Sequence, residues 1–285
     1  QNVVEAGTSA TDLAVHAQEG RLYVSNWQAT SIQVVNLETQ ALLAPIPSER
    51  DVYKLNAGRA GRIYAEGQDQ WVSAWIINSA TGATVGTNNS LFIREGDGEV
   101  DPTGRYYYHC DNNSSGAVLT KYDVSEDKWT SLKSSVTGSG YGTRNLVMSP
   151  DGNRLFWQSQ MYDTEMNVLR NLGAEVYATT QRGELAVTSQ KVLNTANGAQ
   201  LATLPVTTTV MAVAGDQSAI FYFHPTTKAI GNILMSSIAP VPPAGTNGQP
   251  PNNSVQLTPV TKLSWDVVPS ALKYRIYFGT DSTAV

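Results

Sequence analysis

Gly20-Arg21-Leu22-Tyr23-Val24 returns as Gly61-Arg62-Ile63-Tyr64-Ala65, as Gly104-Arg105-Tyr106-Tyr107-Tyr108 and as Gly152-Asn153-Arg154-Leu155-Phe156-Trp157. Each copy is a tight turn, where glycine accepts a positive φ cheaply, running into a short apolar strand. A looser copy is Gly183-Glu184-Leu185-Ala186-Val187, and Asp216-Gln217-Ser218-Ala219-Ile220-Phe221-Tyr222 is a sixth with its glycine displaced. The first five glycines fall about 30 to 48 residues apart with no helical stretch between them, which is the spacing of β-propeller blades. The chain is therefore expected to be all-β, a propeller of six blades; a seventh would need a blade whose phrase is not recognisable.

The text around each phrase supplies the other strands. In the first unit, residues 12–15, 21–25, 31–37 and 41–46 read as four short strands separated by turn residues. In the second, the third strand is expected over 71–77 and Ala80-Thr81-Gly82 is the following turn. Asp101-Pro102-Thr103-Gly104 and Ser149-Pro150-Asp151-Gly152 are equivalent turns in two units: proline presets the first turn angle and glycine takes the positive one. The fourth unit, from Asn145 to about Gly173, must fit its outer strands into 161–171. The sixth, from Thr208 to Ile238, is one strand short. Asn2-Val3-Val4-Glu5, ahead of the first unit, is expected to supply that strand, since a ring left with an open edge invites aggregation.

Composition narrows the function. Charged residues are 15% of the 285, against roughly 25% in ordinary soluble domains. The formal net charge of −5 and the lack of any basic run argue against nucleic acid, whose binders gather Lys and Arg on one face. The single Cys110 excludes an intrachain disulfide framework, and no CxxC or Cys/His cluster suggests structural zinc. No run of 18 apolar residues is present, so no transmembrane segment is expected.

The texture changes after residue 238. Residues 239–254 hold Pro240, Pro242, Pro243, Pro250 and Pro251 with Gly245 and Gly248 and read as an extended linker. The division expected is a propeller over 1–238, the Pro/Gly-rich linker over 239–254 and a separate β segment over 255–285.

Residues 11–238 resemble bacterial propellers of the YVTN and NHL repeat type, on Leu22-Tyr23-Val24-Ser25-Asn26 and on Thr81-Gly82. The last segment is similar to the opening of a fibronectin type III domain, with Leu263, Trp265, Ala271, Tyr274, Ile276 and Tyr277 in the places of that pattern. The resemblance implies a modular, exported surface protein. It implies no activity, because propellers host binding, scaffolding and catalysis alike.

Functional residues are sought in the loops after the second strands, since ligand sites of scaffolds concentrate on loops of one face. Asn26, Trp27, Gln68, Asp69, His109, Asp111, Gln158 and His224 fall there and are the candidate ligand-binding residues, a polar cup near the channel. Against this stands the plainer account, solvated loop residues with histidines capping strands. His109 and His224 are the pair to which acid–base chemistry would fall, since imidazole titrates near neutrality. Asp97, Glu99, Asp101 and Asp111 lack the length and terminal carboxylate of an EF-hand loop and are expected in solvated turns. Cys110 is expected to be an inert thiol, and there is no G-x-S-x-G elbow.

No catalytic or metal-ligating residue is assigned, and no cofactor. The expectation is a secreted, non-catalytic propeller that binds or assembles at a cell surface or extracellular matrix. Its partners would be protein or carbohydrate, with possible self-assembly through 255–285. The alternative is a propeller enzyme, a lactonase-like hydrolase or a lyase, acting on a small metabolite or polysaccharide through His109 and His224.

Overall fold

The structure, a computed structural model, describes residues 9–68, 73–88, 96–111, 117–136 and 145–238. Asp69, the strand expected at 2–5, the linker and the 255–285 segment lie outside the described residues.

Six small antiparallel sheets follow one another along the chain as the blades of a propeller. Blade 1 comprises β1 (Ala10–His16), β2 (Arg21–Asn26), β3 (Ser31–Asn36) and β4 (Leu42–Pro47). Blade 2 comprises β5 (Lys54–Ala57), β6 (Arg62–Glu66), β7 (Trp75–Asn78) and β8 (Thr84–Thr87). Blade 3 has β9 (Asp97–Val100), β10 (Tyr106–Cys110), β11 (Val118–Asp123) and β12 (Thr130–Val136). Blade 4 has β13 (Leu146–Met148), β14 (Leu155–Trp157), β15 (Gln160–Tyr162) and β16 (Val168–Asn171). Blade 5 has β17 (Val176–Thr179), β18 (Leu185–Thr188), β19 (Lys191–Asn194) and β20 (Gln200–Thr203). Blade 6 shows three described strands, β21 (Met211–Val213), β22 (Ala219–Phe223) and β23 (Ile230–Leu234), and the short α1 (Met235–Ile238) follows.

The repeated phrase is the turn into the second strand of each blade. Gly20, Gly61, Gly104, Gly152 and Gly183 all stand at positive φ, and the aromatic or aliphatic residues behind them enter the blade interfaces. One detail differs from the expectation. The third strand of blade 2, expected over 71–77, is Trp75–Asn78, with residues 71 and 72 outside the described residues. Trp129 lies in the approach to β12, where its ring packs among Tyr64, Tyr107 and Tyr122.

Each pair of consecutive blades encloses its own apolar core. Tyr23, Ile32, Leu55 and Ile63 lie between blades 1 and 2, and Tyr64, Ile76, Tyr107 and Tyr122 between blades 2 and 3. Tyr108, Leu119, Leu155 and Trp157 fill the next interface, Phe156, Val176 and Ala186 the fourth, and Leu185, Val187, Ile220 and Met235 the fifth. A strand buried on both sides carries apolar residues at consecutive positions rather than alternately; hence the uninterrupted Leu155-Phe156-Trp157, all buried. Cys110 is buried in the blade 3–4 core, where burial pushes its thiol well up and away from a reactive thiolate.

Candidate functional site

Two places gather polar chemistry, one on the inner strands and one on the loop face. The first begins with Asp12, whose Oδ2 accepts the Leu55 backbone N–H at 3.0 Å and so joins β1 to β5. Lys54 opens β5 and places its ammonium 3.3 Å from Asp97 Oδ1. Asp97 in turn accepts the Leu146 N–H at 3.1 Å through Oδ2, joining β9 to β13. Asn56 Nδ2 donates to the Gly98 carbonyl at 2.7 Å. These bonds run around the channel from blade to blade, where backbone groups at sheet edges would otherwise lack partners.

Glu66 is the cross-strand partner of Lys54 and so shares its face of blade 2. Its Oε1 accepts the Tyr107 hydroxyl at 2.6 Å, and its Oε2 stands 3.4 Å from His109 Nε2. Both side chains are buried.

Electrostatics follow from this crowding. Burial pushes the Asp97 carboxyl up to about 6, with Lys54 pulling against it. Burial followed by the neighbouring Asp97 charge carries the half-buried Glu99 well above the usual carboxylate range. Lys54 is disfavoured as a cation by burial, yet Asp97 and Asp12 outweigh that and hold its ammonium firmly charged. For Glu66 and His109 burial opposes both charges; their mutual attraction prevails, lowering the acid and raising the base. A cavity of about 320 Å³ runs along this stretch, lined by Asp12, Lys54, Asn56, Asp97 and Glu99 among others. The expectation that Asp97 and Glu99 belong to solvated turns is therefore corrected: Asp97 is a buried member of β9 in an ion pair, and Glu99 stands beside it on the same strand. Among the described residues, no group of three His, Cys, Asp or Glu is placed to hold a metal ion.

The second place is on the loop face of blades 1 and 2. The chain turns sharply after β2, with Gln28 at φ 55°, and this turn lifts Trp27 into solvent at 44% exposure. Tyr53 stands edge-on to the indole, centroids 5.8 Å apart at 77°. Around them Gln28, Arg50, Asp51, Val52, Gly67 and Gln68 complete a pocket of about 330 Å³. One wall is aromatic; the rim carries two amides, a guanidinium and a carboxylate.

The eight candidate residues are thus distributed. Trp27 and Gln68 line one pocket, with Asn26 buried at the strand end beside it. His109 is held against Glu66 inside the blade 2–3 boundary. Asp111 accepts the Val118 N–H at 2.9 Å and closes the loop into β11. Gln158 sits in the hairpin between β14 and β15 at φ 55°. His224 Nδ1 accepts the Thr226 and Thr227 N–H groups, both at 3.3 Å, and caps its own turn. The two histidines consequently serve different partners. Sequence reasoning missed Lys54, Glu66, Arg50 and Tyr53. For Lys54 a signal existed: a lone lysine opening an inner strand, where blades 4, 5 and 6 place Leu146, Val176 and Met211.

No known protein-family model matches this chain, and no curated protein is similar to it in sequence. Among solved structures, it is similar to Kuenenia stuttgartiensis hydrazine synthase, with a TM-score of 0.64 over 80% of this chain and 84% of that one, at 13% identity. A likeness at that identity establishes the propeller fold and transfers no activity.

Proposed function

We propose that this chain is an exported, non-catalytic propeller that binds carbohydrate in the Trp27 pocket at a cell surface or in an extracellular matrix. The observation that carries the proposal is the exposed indole braced by Tyr53 inside a concave rim of amides and charges. A sugar ring presents an apolar face, which an indole covers, and a belt of hydroxyls. Gln28 and Gln68 offer a donor and an acceptor each, Arg50 donors and Asp51 acceptors. The repeat phrase supports kinship with YVTN and NHL propellers, and the fibronectin-like segment supports a modular surface protein in which it acts as spacer or contact.

The enzymatic alternative has less support. His109 is 4% exposed and faces Glu66, whereas a general base must reach the proton it takes within hydrogen-bond distance. His224 spends its Nδ1 on its own turn.

A glycan array probed with the full chain tests the proposal, followed by titration of a captured glycan against Trp27→Ala. We expect a loss of affinity of roughly two- to twelvefold, since one aromatic contact is worth about 0.5–1.5 kcal/mol beyond area burial. Capture of no glycan, or an affinity indifferent to the substitution, would sink it.

A further inference from the structure

Blades 1 and 6 each turn one apolar sheet face toward the seam between the last blade and the first. On blade 1 the cross-strand row Val15–Leu22–Val35–Leu42 lies on the face opposite Tyr23 and Val34, which pack on blade 2. Leu13 and Val15 are both 60% exposed there, and Leu42 is exposed as well. On blade 6, Ile220 and Val213 face blade 5, so Phe221, Ile230 and Leu234 look the other way; all three are exposed, Ile230 at 76%. Five interfaces each hold a buried apolar cluster; among the described residues none spans this sixth. On blade 1 the centre of this face, Val24 and Val35, is buried and its margins are exposed; exposed apolar side chains grouped on facing sheets mark an interaction surface.

We infer that residues 255–285 dock in this seam, against the open faces of blades 1 and 6. The chain leaves the described structure at Ile238, directly after β23, the strand that carries Ile230 and Leu234. The sixteen linker residues 239–254 span roughly 50 Å when extended, enough to cross the seam and return. The segment's sequence has the pattern the faces require: Leu263, Trp265 and Val267, then Tyr274, Ile276 and Phe278, alternate with other residues, the period at which an extended chain presents one apolar side. Apolar sheet faces pack on one another about 10 Å apart, and the exposed side chains of blades 1 and 6, Leu13, Val15 and Leu42 on one side and Phe221, Ile230 and Leu234 on the other, offer such a surface.

The trypsin sites Lys262, Lys273 and Arg275 report the docking. Cleavage at these bonds is followed by mass spectrometry in the full chain, in Leu13→Asp/Ile230→Asp, and in Trp265→Ala, which leaves the propeller untouched should the double variant fail to fold. Docking predicts protection in the parent chain, cleavage about tenfold faster or more in the variants, and a monomeric mass in solution. Equal cleavage in parent and variants, whether fast or slow, overturns it. So does a dimeric parent whose protection is lost on dilution, because the occupant would then be a second copy.

Discussion

His109 Nε2 stands 3.4 Å from Glu66 Oε2 across the boundary between blades 2 and 3, while the other oxygen of the same carboxylate accepts the Tyr107 hydroxyl. Two buried groups of opposite charge held this way favour their charged forms together, and neither is content alone.

The first prediction is therefore a stability that declines with rising pH. His109 has a folded value above the ordinary imidazole value, so its contribution is complete below about 6.5 and is lost as pH rises through the folded value. Asp97, raised by burial to about 6, acts in the same sense: its protonated form is favoured in the fold, and that contribution fades as pH climbs from about 4 past 6. Glu66 is lowered and loses its contribution only as pH falls through its folded value. Urea midpoints should be higher at pH 5 than at pH 8, and His109→Gln should flatten the upper part of the slope. A midpoint that rises over this interval would contradict the assignment.

Lys54 and Asp97 form one ion pair, yet their removal should differ in cost. Lys54→Met leaves Asp12 and Asp97 facing each other with no cation between, and stranding a buried charge costs about 3–5 kcal/mol. Partial exposure of the ammonium trims this toward the lower end. Asp97→Asn retains an oxygen for the Leu146 N–H and removes a carboxylate that burial already opposes. At pH 8 its cost should be about 1 kcal/mol or less. Equal losses in urea titrations would show that the bridge is not the organising contact.

Gly20 and Gly104 open the same phrase in different blades and separate backbone strain from crowding. Both have positive φ, 62° and 69°, but a methyl at Gly20 meets nothing within 4 Å while one at Gly104 would stand 2.4 Å from the Arg59 backbone nitrogen. Gly20→Ala should cost about 1 kcal/mol, the left-handed penalty alone. Gly104→Ala should cost about 3 kcal/mol, because displaced backbone adds roughly 2 more. Thermal melts of the two variants make the comparison, and equal shifts would refute it.

Legibility in the sequence followed the physics of each feature. The phrase Gly-Arg-Leu-Tyr-Val announced its strand because turn and burial are both local, and five of six blades carry their strands close to the expected positions. The strand expected over 71–77 is β7, Trp75–Asn78, since Trp71 and Trp75 are equally strand-prone in the sequence; Trp75 reaches the blade 1–2 core, and residue 71 lies outside the described residues. Trp27 was legible as a loop aromatic, whereas Tyr53 and Arg50 come to it from the next blade's approach. The inner-strand charges were not legible. Asp12, Lys54 and Asp97 are separated by about 40 residues each, and only the radial convergence of three inner strands makes them neighbours.

Trp129 provides the last test, because it wedges an irregular segment into an otherwise regular interface. Its ring meets Tyr107, Tyr122 and Tyr64 at centroid distances of 5.0, 5.5 and 6.2 Å, each near perpendicular. Edge-to-face pairs add about 0.5–1.5 kcal/mol beyond area burial, so three around one indole make it a keystone of the blade 2–3 core. Trp129→Ala should cost about 3 kcal/mol or more through the cavity it opens, against about 1 kcal/mol for Trp27→Ala, which is 44% exposed and has Tyr53 as an edge-on partner. A double-mutant cycle with Tyr64→Leu isolates the ring contact from the cavity, and we expect a coupling near 1 kcal/mol. Additive losses within about 0.3 kcal/mol would mean that the ring geometry contributes nothing beyond filling space.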